Sequence, residues 1–135
     1  MWCKGLQDLN IIEVDLLTDA SLVHIYTHCA NTLHTISFSY KSFKGLTFSA
    51  GAINTLLERC THLRTVNLLD YGSSDTPPFI FSAQAISNLT TLYITGNIGA
   101  DNNLVAIGLY GVNIEELTID RCYDCEHTRA TLSSI

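Results

Sequence analysis

Two cysteines and a histidine form the group of residues best suited to chemistry in this sequence. Cys122 and Cys125 make a C-x-x-C pair, and His127 follows closely. Such a pair can bind zinc or exchange disulfides. A structural zinc site needs four ligands, and the sequence has no second C-x-x-C pair. A redox or zinc-binding module on these three residues is therefore the alternative hypothesis, and not the leading one.

A second pattern pairs His24 with His28, one helical turn apart. This spacing occurs in zinc sites on helices. The metalloprotease motif also needs a glutamate between the two histidines, and none is present here. Both histidines fall outside the apolar stripe of the predicted helix, so solvated side chains are the favoured interpretation.

The sequence contains no complete catalytic motif. Glycine-rich nucleotide-binding loops and the nucleophile motif G-x-S-x-G are missing. Glu115 and Glu116 are adjacent in a predicted strand, where neighbouring side chains point to opposite faces and cannot act as an acid/base pair. We therefore predict a protein that is not an enzyme and that carries no cofactor or metal.

An apolar-x-x-apolar-x-apolar phrase recurs five times and must form the framework that positions every candidate site. Its copies begin at Leu6, Leu33, Leu63, Leu89 and Ile114. The period is roughly 25–30 residues, typical of a leucine-rich repeat. The prediction is a single α/β domain over residues 1–135, built as an open right-handed βα superhelix with about five repeats and a parallel sheet on its concave face.

Helices are predicted between the strand phrases. Residues 18–29 and 49–60 each carry an apolar stripe at i, i+3, i+4 and i+7, ending at Cys29 and Cys60. Shorter helices are predicted at 82–86 and at 101–109. The tail that follows the fifth phrase has weak apolar content, and no element is predicted there.

The outward strand positions are the remaining candidate site. Strand alternation leaves polar and aromatic side chains on the face away from the helices. Tyr93 stands out because tyrosine provides a large contact area at a low entropy cost. The predicted partner-binding residues are Asn10, Ser37, Thr65, Asn67, Leu69, Thr91, Tyr93, Thr95, Glu116 and Thr118. The connections at 40–44 and 70–79 are predicted to flank this face.

Composition narrows the possible partners. The net charge is −6, from 7 basic and 13 acidic residues, and no basic run is present, so we expect no nucleic-acid partner. No apolar run approaches the roughly 20 residues of a membrane helix, and no signal peptide is visible. Five cysteines, an odd number, indicate reduced thiols and a cytoplasmic or nuclear protein.

Several segments resemble the cysteine-containing leucine-rich repeats of F-box/LRR proteins. Residues 17–22, Leu-Thr-Asp-Ala-Ser-Leu, look like the start of the family's helix, and Cys29 and Cys60 match its helix-end cysteine. Residues 117–122 look like its strand followed by cysteine. Units three and four depart from the pattern with Asn88 and Asn113, and no F-box is visible.

The resemblance implies a protein-protein interaction module, with substrate recognition for an SCF-type ubiquitin ligase as its expected process. A ubiquitin ligase adaptor or a substrate would then be the partner. A purely structural solenoid segment is a further alternative. Because the ends of a solenoid expose core unless they are capped, we also expect self-association through the open ends. The lack of a visible F-box leaves three alternatives open: a fragment of a longer solenoid, a short relative without the F-box, or a truncated gene model.

Overall fold

The computed structural model describes residues 5–12, 17–40, 49–70, 81–95, 100–121 and 128–133. Strands and helices alternate along most of this chain. The strands are β1 (Asp8–Ile12), β2 (Thr35–Tyr40), β3 (Thr65–Asp70), β4 (Thr91–Thr95), β5 (Glu116–Arg121) and β6 (Thr128–Ser133). The helices are α1 (Asp19–Cys29), α2 (Ala50–Arg59), α3 (Ala83–Ser87) and α4 (Ala100–Tyr110).

The strands form one sheet in their order along the chain. Strands β1 to β5 pair in parallel, each with the next strand in sequence, and β6 closes the series as an antiparallel partner of β5. The register joins equivalent positions of the repeated phrase: Leu9 faces Ile36, and Val66 faces Leu92. The predicted α/β class with a parallel sheet is confirmed, and the arrangement is compatible with a solenoid-like fold.

The core lies between the sheet and the helices. In the three inner units, the second and third apolar residues of each phrase are buried together with apolar residues of the helices. Ile36 and Phe38 of β2 are 0% and 1% exposed, and Leu22 of α1 and Leu56 of α2 are fully buried. Burial of this continuous layer is the main stabilising contribution, since no single unit can cover its own apolar face.

A backbone hydrogen-bond motif recurs immediately before the strands. The carbonyl of His34 accepts hydrogen bonds from the N–H groups of Arg64 and Thr65, at 2.9 and 3.1 Å. The carbonyl of Thr90 accepts in the same way from Glu115 and Glu116. The carbonyls of Gln7 and Arg64 also each accept two hydrogen bonds from N–H groups at the start of the next strand. One carbonyl therefore satisfies two donors at each junction, which ties each strand start to the preceding unit.

Serine caps begin two of the helices. The hydroxyl of Ser49 accepts from the N–H of Ala52 at 3.1 Å, and that of Ser82 accepts from Ala85 at 3.2 Å. These bonds satisfy N–H groups that have no partner within the helix. The predicted helix starts at 49 and 82 correspond to these two capping residues.

Each capping serine is also held by the preceding helix. The carboxylate of Asp19 in α1 accepts from the N–H of Ser49 at 2.7 Å and from its hydroxyl at 2.9 Å. In α2, Asn54 accepts from the N–H of Ser82 at 3.0 Å, and Glu58 accepts from the Ser82 hydroxyl at 2.6 Å. Successive helices are thus connected by polar bonds as well as by apolar packing.

The strand β6 lies in the tail, where the sequence predicted no element. It pairs with β5 along its length, with Leu132 opposite Leu117 and Ala130 opposite Ile119. Its apolar pattern is weak because only these two residues alternate along the strand. Threonine favours strands, and pairing with β5 supplies the hydrogen bonds that the tail cannot form alone. The β5 edge, where self-association through an open end was expected, is therefore already paired.

Candidate functional site

The face of the sheet opposite the helices is the candidate site, and we call it the outer face. Strand alternation places every second residue there while its neighbours enter the core. Three rows of register partners cross it. The first is Asp8, Thr35, Thr65, Thr91 and Glu116; the second is Asn10, Ser37, Asn67, Tyr93 and Thr118; the third is Ile12, Ser39, Leu69, Thr95 and Asp120.

Nine of the ten predicted partner-binding residues have described side chains, and they lie in these rows. Thr95 is on the outer face by register, but its side chain lies outside the described part of the structure, as do those of Ser39 and Asp120. The antiparallel strand extends the rows by register, with Thr131 opposite Thr118.

Exposure on the outer face depends on the position of the strand in the sheet. Side chains of the interior strands β2 to β4 are half-buried, whereas Asn10 and Ile12 of the edge strand β1 are exposed, Ile12 by 56%. Interior residues have flanking side chains on two sides, about 5 Å away. Leu69, the apolar member of the predicted partner-binding set, is also half-buried.

Tyr93 occupies the centre of the middle row. Its register partners are Asn67 on β3 and Thr118 on β5, and its side chain is half-buried. The described members of this row carry no charge, and the formal charges of the first row lie at its two ends, on Asp8 and Glu116. The outer face therefore offers an aromatic side chain within an uncharged polar surface.

The structure describes only one of the two groups that the sequence analysis considered as candidates for metal or redox chemistry. Cys122, Cys125 and His127 lie outside the described residues. His24 and His28 are exposed on α1, with parallel rings 6.4 Å apart. Within the described ranges, no group of three or more His, Cys, Asp or Glu side chains could hold a metal ion.

A depression beside the strand starts was not predicted. Its volume is about 450 Å³, and it is lined by Arg64, Asn88, Thr90, Val112, Asn113, Ile114 and Glu115. Arg64, Thr90 and Glu115 each follow the first apolar residue of the repeated phrase. A comparison of this position between the copies of the phrase would have indicated the depression. The Arg64 guanidinium already donates to the carbonyls of Thr61 and Leu63, at 2.9 and 3.0 Å, which reduces its availability to a ligand.

The helix-end cysteines belong to the core. Cys29 ends α1 and is 8% exposed, while Cys60 follows α2 and is fully buried. Both are free thiols. Burial, with a smaller contribution from the nearby Cys29, raises the pKa of the Cys60 thiol from 9.0 to about 11. A thiol held protonated in this way is a poor nucleophile, so Cys60 is a packing residue.

This raised pKa predicts a loss of stability at alkaline pH. Because folded Cys60 holds its proton more tightly than the unfolded chain does, its contribution is complete below pH 9.0 and is lost as the pH rises through about 11. We expect the stability of the wild type relative to Cys60→Ala to fall by about 2–3 kcal/mol over that interval.

Urea unfolding of the wild type and of Cys60→Ala across this pH range measures the difference between their free energies of unfolding. The titration of the other residues affects both proteins and cancels in this difference. A difference that stays constant from neutral pH to above pH 11 would contradict the assignment.

Comparison with known proteins identified no relative of this chain. It matches no protein-family model, no curated protein and no solved structure. None of the helices in the described part of the chain has the length and apolar content needed to cross a membrane.

Proposed function

We propose that this chain is a leucine-rich repeat module that binds a partner protein on the outer face of its sheet, which is the concave face in solenoids of this kind. The observation that carries the proposal is the row Asn10, Ser37, Asn67, Tyr93 and Thr118, which the register aligns across the parallel strands. Parallel strands that present one variable position per repeat are the usual binding surface of a solenoid.

The repeat interpretation is supported by two recurring features. Equivalent letters of the phrase pair without a register shift from β1 to β5. The doubly accepting carbonyl before the strand also recurs, at Gln7, His34, Arg64 and Thr90. Because the hydrogen bonds before the strands and the side-chain pattern recur together, they support the interpretation of each phrase as one repeat.

The size of the outer face limits the type of complex. Six strands spaced at about 4.8 Å, each with about five residues rising about 3.3 Å, cover about 500 Å² in projection. A standard interface buries about 800 Å² on each partner. A stable partner must therefore also contact the connections at the ends of the strands, where 40–44 and 70–79 were predicted to flank the face. Most of these two connections lies outside the described residues.

A role in substrate recognition for an SCF-type ubiquitin ligase is the finer form of the proposal. It is motivated by the resemblance to F-box/LRR repeats at Cys29, Cys60 and residues 17–22. In that case the partner is a ligase substrate, and the adaptor and cullin should accompany the chain.

The proposal predicts that the double variant Tyr93→Ala, Leu69→Ala loses its partner while keeping its fold. Truncating two central contact residues of an interface typically removes a large share of the binding energy. We expect the recovery of specific partners to fall by more than about tenfold, measured by affinity capture with quantitative mass spectrometry. The circular dichroism spectrum should remain that of the wild type.

The matched control is Val23→Ala, which truncates a side chain that is 44% exposed on α1, away from the outer face. It should retain every partner that the wild type captures. Partners kept equally by the double variant would disprove the outer-face assignment. Partners lost as predicted, but without adaptor or cullin, would retain the binding module and reject the ligase role.

A further inference from the structure

The depression beside the strand starts carries opposite charges at positions two strands apart. Arg64 precedes β3, Thr90 precedes β4 and Glu115 precedes β5, and all three line the depression. The carbonyl of Arg64 accepts from the N–H of Thr90, and that of Thr90 accepts from Glu115. Two strand spacings of about 4.8 Å therefore separate Arg64 from Glu115 by about 10 Å. Both residues are exposed, and no ion pair joins them within the described part of the chain.

The guanidinium group of Arg64 is fixed by one of its nitrogens. Its Nη1 donates to the carbonyls of Thr61 and Leu63, at 2.9 and 3.0 Å. Among the described residues, its Nε and Nη2 have no hydrogen-bond acceptor. These two nitrogens present parallel N–H groups, the fork that binds both oxygens of a carboxylate. Because Nη1 already orients the plane, a carboxylate that binds at this fork immobilises little further side-chain freedom.

Uncharged polar side chains complete the lining of the depression. The Asn113 amide donates to the carbonyl of Ser87 at 2.7 Å, and the Thr90 hydroxyl donates to the carbonyl of Arg64 at 3.3 Å. Both side-chain oxygens retain lone pairs that can accept further hydrogen bonds. Val112, which is 80% exposed, adds an apolar surface. A lining of acceptors and apolar surface suits a peptide backbone, which offers N–H donors.

The two charges disfavour a small ion as the ligand. Glu115 and the net charge of −6 repel an anion that approaches Arg64, and Arg64 repels a cation that approaches Glu115. A ligand gains from both residues only if it carries both charges at a matching separation. A peptide chain extends by about 3.3–3.6 Å per residue, so about three residues span the distance.

We propose that this depression binds a short extended peptide that carries a carboxylate and an ammonium group about 10 Å apart. The carboxylate accepts from Nε and Nη2 of Arg64, and the ammonium group donates to Glu115. Peptide N–H groups between them donate to the side-chain oxygens of Thr90 and Asn113. The charges can come from the termini of a free tripeptide or from side chains of a longer chain, and the experiment distinguishes these sources.

Titration of the isotope-labelled protein with Ala-Ala-Ala at low ionic strength, followed by NMR, tests the proposal. We expect the backbone amide signals of Arg64, Thr90 and Glu115 to shift saturably, with a dissociation constant of about 1 mM. Acetylation of the peptide amino group, or amidation of its carboxyl group, should each weaken binding by about tenfold, since each removes one charged contact. Acetyl-Glu-Ala-Lys-amide carries both charges on side chains. Equal binding of this peptide assigns the site to an internal protein segment, and weaker binding assigns it to free termini.

Two variants identify the residue that contacts each end of the peptide. Glu115→Gln should bind Ala-Ala-Ala about tenfold more weakly than the wild type and should no longer distinguish it from the acetylated form. Arg64→Gln should lose the distinction from the amidated form in the same way. In the described part of the chain the Glu115 side chain makes no hydrogen bond, so Glu115→Gln should fold even if Arg64→Gln does not.

Glu116→Gln is the matched control, because Glu116 is the adjacent acidic residue but lies on the outer face. It should keep the affinity within about twofold of the wild type. An absence of saturable shifts, or equal binding of the free, acetylated and amidated peptides by the wild type, would overturn the proposal. Either result would leave the proposed function unaffected, since Tyr93 and Leu69 lie on the outer face and not in the depression.

Discussion

Replacing Phe38 with Ala is expected to lower the free energy of unfolding by about 3–5 kcal/mol. Phe38 lies in β2, pairs in register with Ile11 and Leu68, and is 1% exposed within the core. Its removal takes away the dispersion contacts of a large ring and leaves a cavity that the neighbouring strands cannot close without losing register. Domains of this size are stable by about 5–15 kcal/mol, so the loss is a large fraction of the total.

Urea unfolding followed by circular dichroism measures this loss. Ser37→Ala is the matched control, because Ser37 is the adjacent residue of the same strand but lies on the outer face. Its effect should stay within about 0.5 kcal/mol, as for most surface substitutions. If both variants lose the same stability, the assignment of Phe38 to the core side of β2 is incorrect.

The strand framework could be predicted because its signal is local and repeated. At the second, third and fourth copies of the phrase the buried residues, such as Ile36 and Phe38, are two positions apart, and the phrase recurs along the sequence from Leu6 to Ile114. Strands with the same apolar pattern pair best in register, since a shift of the pairing by one residue would turn core side chains outward. The sequence alone therefore indicated both the parallel pairing and the rows of the outer face.

Features that depend on contacts between distant residues could not be predicted in this way. The pairing of β6 with β5 depends on a partner and not on its own weak pattern. The hydrogen bonds that Ser82 donates to Asn54 and Glu58 join α3 to α2, and nothing in either segment alone indicates them.

Substitution of Ser82, which connects α3 to α2, is the second change with a large expected effect on stability. Ser82→Ala removes the cap of α3, a helix of only five residues, and also removes the donor to the carboxylate of Glu58. Loss of a cap costs about 0.5–2 kcal/mol, and loss of a hydrogen bond to a charged group costs about 1.5–3 kcal/mol. We expect a total of about 2–4 kcal/mol in urea unfolding, since the Glu58–Ser82 pair is partly buried.

Ser87→Ala is the control in the same helix, because the Ser87 hydroxyl donates only to the exposed carbonyl of Gln84. Its cost should be within about 0.5 kcal/mol. Equal effects of the two serine variants would show that Ser82 has no special role.

Two further variants separate capping from the bond to Glu58. Asparagine and aspartate cap helices about equally well. The side chain of Ser82→Asn has N–H donors for the Glu58 carboxylate, whereas Ser82→Asp places a second carboxylate beside it, and like charges at this distance repel. If Ser82 acts only as a cap, the two variants have equal stability. If it also joins α2 to α3, Ser82→Asp is the less stable of the two, and the difference disappears when Glu58 is replaced by Gln, because a neutral amide removes the repulsion.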